Sequence, residues 1–126
     1  MSLCLDSWAV LRWLEGVEPA ASRVEQALVE RPCMSWINVG EVFYVSTRAG
    51  GREVAGSIVD DLRRIVRLDE PSPERVLQAA TIKADHPLAY ADAFAIATAV
   101  AHDAALLTGD PEILASDAPC PVEDLR

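Results

Sequence analysis

Residues 90–108 read YADAFAIATAVAHDAALLT, and this stretch decides the fold. Its segment 91–101 is apolar on all sides of a helix apart from one aspartate, so the predicted helix must be buried on several sides. Residues 104–107 (AALL) follow after a short break and predict a strand. A buried helix that leads into a strand is typical of an α/β sandwich built on a parallel sheet.

The alternation of strand and helix continues towards both ends of the chain. Leu3-Cys4-Leu5 predicts a strand, and the helix after it ends at Gly16. From the whole series we predict a three-layer α/β/α sandwich with a central, mainly parallel sheet of four or five strands, as a single domain over residues 1–126. The remaining predicted helices cover residues 20–31, the region of Glu41, Val54–Leu62, the segment from Ser72 and a short turn at Pro111; the remaining strands cover 32–36, 65–68 and the edge strand 121–123.

The composition limits the classes of function. A chain of 126 residues with 51% hydrophobic residues can bury a core without disulfides, and its three cysteines have no CxxC spacing, so we expect reduced thiols. No apolar run reaches the roughly 18 residues of a membrane span, and we expect a soluble cytoplasmic protein. The net charge of −9 disfavours undirected binding to a polyanion. Any nucleic-acid chemistry here must recruit cations.

Four acidic residues follow predicted strands or begin predicted helices. Asp6 and Asp110 come after strands, Asp92 lies at the start of the buried helix, and Glu41 lies early in a helix whose predicted N-cap is Asn38. Because the carboxyl ends of parallel strands meet at one edge of the sheet, all four carboxylates can reach the same place.

Each of these acids also has a purely structural interpretation. Asp6 and Asp110 suit helix N-caps, and Asp92 suits a first-turn position near the positive end of the helix dipole. Glu41 has Arg48 two turns further along its helix as a salt-bridge partner. Asp92 fits its structural interpretation least well, because its neighbours are apolar and a buried lone carboxylate is costly.

A cluster of four carboxylates makes chemical sense mainly around divalent cations. Like charges raise one another's pKa, and an oxygen-only ligand set suits Mg²⁺ or Mn²⁺ better than zinc. The only two histidines have no serine or cysteine nearby in a strand–turn–helix elbow, which disfavours a triad hydrolase. Neither GxxxxGK[ST] nor GxGxxG occurs, which removes the usual nucleotide-binding loops.

Four short motifs resemble those of the PIN-domain family, and the resemblance spans nearly the whole chain. In chain order they are LDS at residues 5–7, NVGEV at 38–42, YADAFAIATA at 90–99 and LTGD at 107–110. The resemblance implies a metal-dependent ribonuclease in which Asp6, Glu41, Asp92 and Asp110 are catalytic and bind Mg²⁺ or Mn²⁺, with Ser7 and Thr108 as supporting residues.

Short single-domain chains of this kind are mostly similar to VapBC-type toxins. That resemblance implies RNA as the substrate, a cognate VapB-like antitoxin as the inhibitor, and a homodimer. Three arginines close to the motifs are candidate contacts for RNA phosphates: Arg12, Arg48 and Arg52.

Two alternatives to the ribonuclease remain open. The first is a catalytically degenerate PIN-fold binding module, which keeps the fold and the partner surface without turnover. The second is a Mg²⁺-dependent phosphoryl-transfer domain of flavodoxin-like topology, which also collects acids at a strand edge. Against the second, Asp6 stands alone after its strand and Lys83 is the sole lysine.

Overall fold

The computed structural model describes residues 1–126, and at its centre lies a five-stranded sheet in which every neighbouring pair of strands is parallel. The strands are β1 (Ser2–Leu5), β2 (Cys33–Ser35), β3 (Arg67–Asp69), β4 (Ala104–Thr108) and β5 (Val122–Asp124). Their order is β3-β2-β1-β4-β5, which places β1 beside β4 at the point where the order reverses. The order also differs from the 2-1-3-4-5 sheet of flavodoxin-like proteins, so that alternative topology is wrong.

Helices cover both faces of the sheet and complete the predicted three-layer sandwich. The core residues Leu5, Met34 and Leu107 point to one face, where four helices cover them, whereas Cys4 and Leu106 point to the other. This alternation follows from the two-residue period of a strand. The helices are α1 (Ser7–Glu15), α2 (Ala20–Leu28), α3 (Trp36–Gly50) and α4 (Arg52–Ile65) on the first face, then α5 (Pro73–Asp85), α6 (Tyr90–Ala101) and the short α7 (Pro111–Leu114).

Helix α6 is buried along most of its length, as its sequence predicts. Every residue from Asp92 to Ala99 is buried. The helix packs against β1, β2 and β4 and also against α3 and α5. Its N-terminal turn therefore lies between the sheet and α3, which brings Asp92 to the inside of the molecule.

Two local predictions need correction. Helix α3 begins at Trp36, because the Ser35 side chain accepts a hydrogen bond from the backbone N–H of Ile37 and acts as the N-cap; the prediction of Asn38 as N-cap is wrong. Helix α4 continues to Ile65, so β3 starts later than predicted, at Arg67. Elsewhere the predicted order of strands and helices is confirmed.

The cysteines and the helix lengths agree with the expectations from composition. All three cysteines are free thiols, and two of them, Cys4 and Cys33, are buried on adjacent strands. None of the helices combines the length and the apolarity needed to cross a bilayer.

Candidate functional site

The carboxyl ends of β1 and β4 bring together acidic side chains from separate parts of the chain. Asp6 follows β1, Asp110 follows β4, Asp92 lies in the first turn of α6, and Glu41 lies near the start of α3. We call these four residues the acidic cluster. Their charges act on one another: Asp92 and Asp110 raise the pKa of Asp6, while Asp110 and Glu41 raise that of Asp92. The cluster lies where the strand order reverses, the usual position of ligands in open α/β sheets.

Asp6 is buried, and both of its carboxylate oxygens accept hydrogen bonds. Oδ1 accepts from the backbone N–H of Ala9 at 2.8 Å, which makes Asp6 the N-cap of α1, and Oδ2 accepts from the Thr108 hydroxyl. Burial raises the pKa of Asp6 to about 7 although these two hydrogen bonds lower it. The predicted cap is confirmed, but each carboxylate oxygen has a second lone pair and can still bind a cation.

Asp92 differs from Asp6 because no protein group donates a hydrogen bond to it. Its side chain is 9% exposed, and burial raises its pKa to about 7, with further increases from the charges of Asp110, Glu41 and Glu112. An ionised carboxylate in this environment is destabilised unless a cation accompanies it.

Glu41 is held from two sides through a single oxygen. The Ser7 hydroxyl donates to Oε1 at 2.8 Å, and the Asn38 amide donates to the same atom at 3.1 Å. The alternative salt bridge with Arg48 is wrong: Glu41 takes part in none of the ion pairs, and the Arg48 guanidinium instead lies 5.0 Å from the centroid of the Tyr44 ring. The second oxygen, Oε2, is therefore free to bind a ligand.

Asp110 combines the structural role predicted for it with a place in the cluster. Its Oδ1 accepts from the backbone N–H groups of Glu112 at 2.9 Å and Ile113 at 3.3 Å, so it is the N-cap of α7. Its own N–H donates to the Thr108 hydroxyl at 3.0 Å, which links it to Asp6 through Thr108. Oδ2 accepts no protein hydrogen bond and stays available.

Two features of the site are missed by the sequence reasoning. Asn38 is fully buried and contacts Glu41; the signal for it is the three-residue spacing, which places both side chains on one face of a helix. Gly109 has no room for a side chain, because an added Cβ would lie 2.2 Å from Cη2 of Trp8. The Trp8 ring thus packs directly on the loop that carries Asp110.

The three candidate RNA-binding arginines differ in their surroundings. Arg12 forms an ion pair with Glu15 at 3.3 Å, and its guanidinium lies 4.7 Å from the centroid of the Trp8 ring. Arg48 is exposed about 10 Å along the helix axis from Glu41, and Arg52 is exposed at the start of α4. Their contact with RNA stays a prediction.

The ligands that the cluster offers are all oxygen atoms. As the side chains stand, no three of the histidine, cysteine, aspartate and glutamate residues are close enough to surround one metal ion. The separation of the carboxylates agrees with the repulsion between their like charges. The donor set nevertheless fits a hard divalent cation, because Asp92 and the free oxygens of Glu41 and Asp110 have no competing protein donors.

The sequence matches a known protein family over most of its length. The sequence model of the PIN domain matches residues 3–117. No curated protein sequence is significantly similar to the chain.

Solved structures share the fold at low sequence identity. VapBC2 from Rickettsia felis, bound to a DNA fragment from its promoter, superposes with a TM-score of 0.77 at 15% identity over 100% of both chains. VapBC-1 from nontypeable Haemophilus influenzae gives 0.73 at 21% identity over 99% of this chain and 98% of that one. VapC20 from Mycobacterium tuberculosis, a toxin that cleaves the sarcin-ricin loop, gives 0.74 at 16% identity over 93% and 96%.

Proposed function

The chain belongs to the PIN-domain family, and on that premise we propose that it is a metal-dependent endoribonuclease whose active site is the acidic cluster. The observation that carries the proposal is Asp92, a buried carboxylate that has no hydrogen-bond donor and whose ionisation is opposed by burial and by the charges of Asp110, Glu41 and Glu112. Such a residue lowers the stability of the protein alone. A bound Mg²⁺ or Mn²⁺ removes that cost.

The contacts of each residue in the cluster indicate the role that it would have. Asp6, Glu41 and Asp92 would hold the cation, and Asp110 would assist from the edge of the site through its free oxygen. Thr108 orients Asp6, and Ser7 orients Glu41. The cation supplies a water of lowered pKa and charge stabilisation for the phosphate. The carboxylates keep that charge at a fixed place at the end of the sheet.

The proposal also accounts for the net charge of −9. An RNA backbone is repelled by a surface of this sign, so binding depends on local positive charge. A bound divalent cation would supply it at the scissile phosphate, and Arg12, whose guanidinium lies over the Trp8 ring that packs on Gly109, would add positive charge beside the loop that carries Asp110.

The test is cleavage of RNA by the purified protein with Mn²⁺, Mg²⁺ or EDTA. We expect cleavage with the metals, none in EDTA, and a loss of about 100-fold or more in the variants Asp6→Asn and Asp92→Asn. Asp60→Asn is the matched control, since Asp60 is an exposed acid on α4 outside the cluster. Cleavage that persists in EDTA or in both variants rejects the proposal. Tight metal binding without cleavage of any RNA favours the catalytically degenerate binding module.

We further propose that the protein is the toxin of a toxin–antitoxin pair. The support is the fold shared along nearly the full chain with toxins of VapBC complexes. The partner is then a VapB-like antitoxin, and a homodimer is expected for the toxin. A short adjacent reading frame, whose product co-purifies with this chain and stops cleavage, is the expected finding. A gene without such a neighbour contradicts the antitoxin partner. A protein that is monomeric at micromolar concentration contradicts the homodimer.

A further inference from the structure

Asn38 joins the two halves of the acidic cluster. Its side-chain amide donates to Oε1 of Glu41 and to the backbone carbonyl of Ala91, both at 3.1 Å. Ala91 immediately precedes Asp92 on α6, whereas Glu41 belongs to α3. Both neighbours of the amide are acceptors, which fixes its orientation with the NH₂ group towards them.

This amide opposes a repulsion between the helices. Glu41 on α3 and Asp92 on α6 both carry a carboxylate, and like charges repel each other across the space between the two helices. The hydrogen bond from Asn38 to Ala91 is the only side-chain hydrogen bond that joins these two helices. It therefore holds the start of α6, and with it Asp92, at a set distance from Glu41.

The remaining atom of the amide has no partner. Asn38 is 0% exposed, and its Oδ1 is buried without any hydrogen bond. A buried, unsatisfied oxygen destabilises the fold, and an apolar side chain of the same shape would avoid that cost. This cost offsets part of the stabilisation from the two hydrogen bonds of the amide, whose acceptors are Glu41 on α3 and Ala91 on α6.

We propose that Asn38 is a positioning residue that holds Glu41 and Asp92 at the spacing needed to share one divalent cation. The inference rests on the proposed metal-dependent function. It assigns Asn38 no contact with the metal, since the amide turns its nitrogen, which does not bind cations, towards Glu41 and α6, and its Oδ1 is fully buried.

The experiment compares Mn²⁺ affinity with stability in three proteins: the wild type, Asn38→Leu and Thr98→Val. Thr98 is the matched control, because it lies on α6, is fully buried and has an unpartnered hydroxyl, but makes no contact with the cluster. Titration calorimetry gives the Kd for Mn²⁺, and thermal unfolding in EDTA gives Tm. We expect Asn38→Leu to weaken Mn²⁺ binding about 10- to 100-fold without lowering Tm, and Thr98→Val to leave the Kd unchanged.

Two further variants keep the result decisive. If Asn38→Leu does not fold, Asn38→Ser retains one donor, and we expect an intermediate Kd. In a Glu41→Ala background, the addition of Asn38→Leu should raise the Kd for Mn²⁺ by less than a further factor of about two, because the carboxylate that Asn38 positions is already absent. A Kd for Asn38→Leu equal to that of the wild type overturns the positioning role while the metal site stands. Failure of the wild type to bind Mn²⁺ overturns the proposed function itself and this inference with it.

Discussion

The Thr108 hydroxyl donates a hydrogen bond to Oδ2 of Asp6 and accepts one from the backbone N–H of Asp110 at 3.0 Å. The residue is fully buried at the end of β4, and Asp6 directly follows the neighbouring strand β1. One hydroxyl therefore connects two members of the acidic cluster across the central strand pair. Burial raises the pKa of Asp6 and the hydrogen bond from Thr108 lowers it, and the result of all contributions is a pKa of about 7.

Replacement of Thr108 by valine tests this connection. Thr108→Val keeps the shape but removes the donor, so the pKa of Asp6 rises further and more of the carboxylate is protonated near neutral pH. We expect cleavage to fall about 10- to 100-fold at neutral pH and to recover partly near pH ~9. The pH–rate profile is the measurement, with Thr98→Val as the control. A uniform loss at all pH values contradicts the role assigned to the hydroxyl.

The pH dependence of stability without metal provides a second prediction. Asp6 and Asp92 have pKa values of about 7 in the folded protein against an ordinary value of 3.8, so between these limits the folded protein binds more protons than the unfolded chain. The free energy of unfolding therefore falls as pH rises from about 4 to about 7 and is nearly constant above. In EDTA we expect Tm to be higher near pH ~5 than near pH ~8. A Tm that rises over this interval contradicts the raised pKa values.

The variant Asp92→Asn separates stability from activity. Asp92 accepts no hydrogen bond, so an amide removes its charge without breaking a contact. In EDTA near pH ~8 we expect Tm to rise by at least about 3 °C, whereas cleavage measured with Mn²⁺ is lost. Asp60→Asn, at an exposed site on α4, should change neither. A lower Tm for Asp92→Asn would mean that its carboxylate stabilises the fold, and the argument for a metal at this place would fail.

The sequence predicts those features of the fold and site that depend on local pattern. The apolar run of α6 requires burial, and the position of Asp6 and Asp110 after strands requires a common edge of the sheet; both follow without knowledge of distant contacts. The function of Asn38 does not follow, because Ser35 and Asn38 are both good N-caps and only the packing of α3 on α6 decides between them.

Contacts between distant residues account for the other features that the sequence does not predict. Asp69 is buried at the end of β3 and contacts Arg75 at 2.8 Å and His102 at 2.8 Å. His102 directly follows α6, 33 residues further along the chain. No local pattern marks that arrangement. The partner of Arg48 is equally a matter of tertiary structure, since its side chain turns to Tyr44 and away from Glu41.

The packing of Trp8 on Gly109 gives a fourth prediction. A Cβ at Gly109 would collide with the Trp8 ring, so Gly109→Ala must displace either the ring or the loop before Asp110. The guanidinium of Arg12 lies over the same ring and would be displaced with it. We expect a destabilisation of about 1–3 kcal/mol and a loss of cleavage that exceeds the loss of folded protein. Gly56→Ala is the control: its Cβ meets nothing within 4 Å on helix α4, and Tm should rise or stay equal. Denaturant unfolding and cleavage assays measure both effects, and equal behaviour of the two variants contradicts the close approach.

An apolar groove between α1, α3 and α4 carries the last prediction, which concerns the proposed antitoxin. The groove encloses about 370 Å³, and its lining includes Leu11, Leu14, Val45 and Val54, of which the last three are exposed. Helix α1 directly follows Asp6 and α3 carries Glu41 in its N-terminal half, so a segment that lies in the groove along these helices can lead towards the acidic cluster. The net charge of −9 and Glu15 in the lining favour a partner segment with apolar and basic residues.

The variant Val54→Arg places a bulky cation in this groove at a position that is 52% exposed. We expect it to weaken antitoxin binding by about 30-fold, the effect of losing an interface contact of about 2 kcal/mol, and to leave RNA cleavage unchanged because the cluster is not touched. Leu77→Arg is the matched control, since Leu77 is 68% exposed on α5, on the opposite face of the sheet. Binding is measured by calorimetry with the purified antitoxin and release from inhibition by RNA cleavage. If Leu77→Arg weakens binding and Val54→Arg does not, the antitoxin docks on the α5 side and the groove has another role.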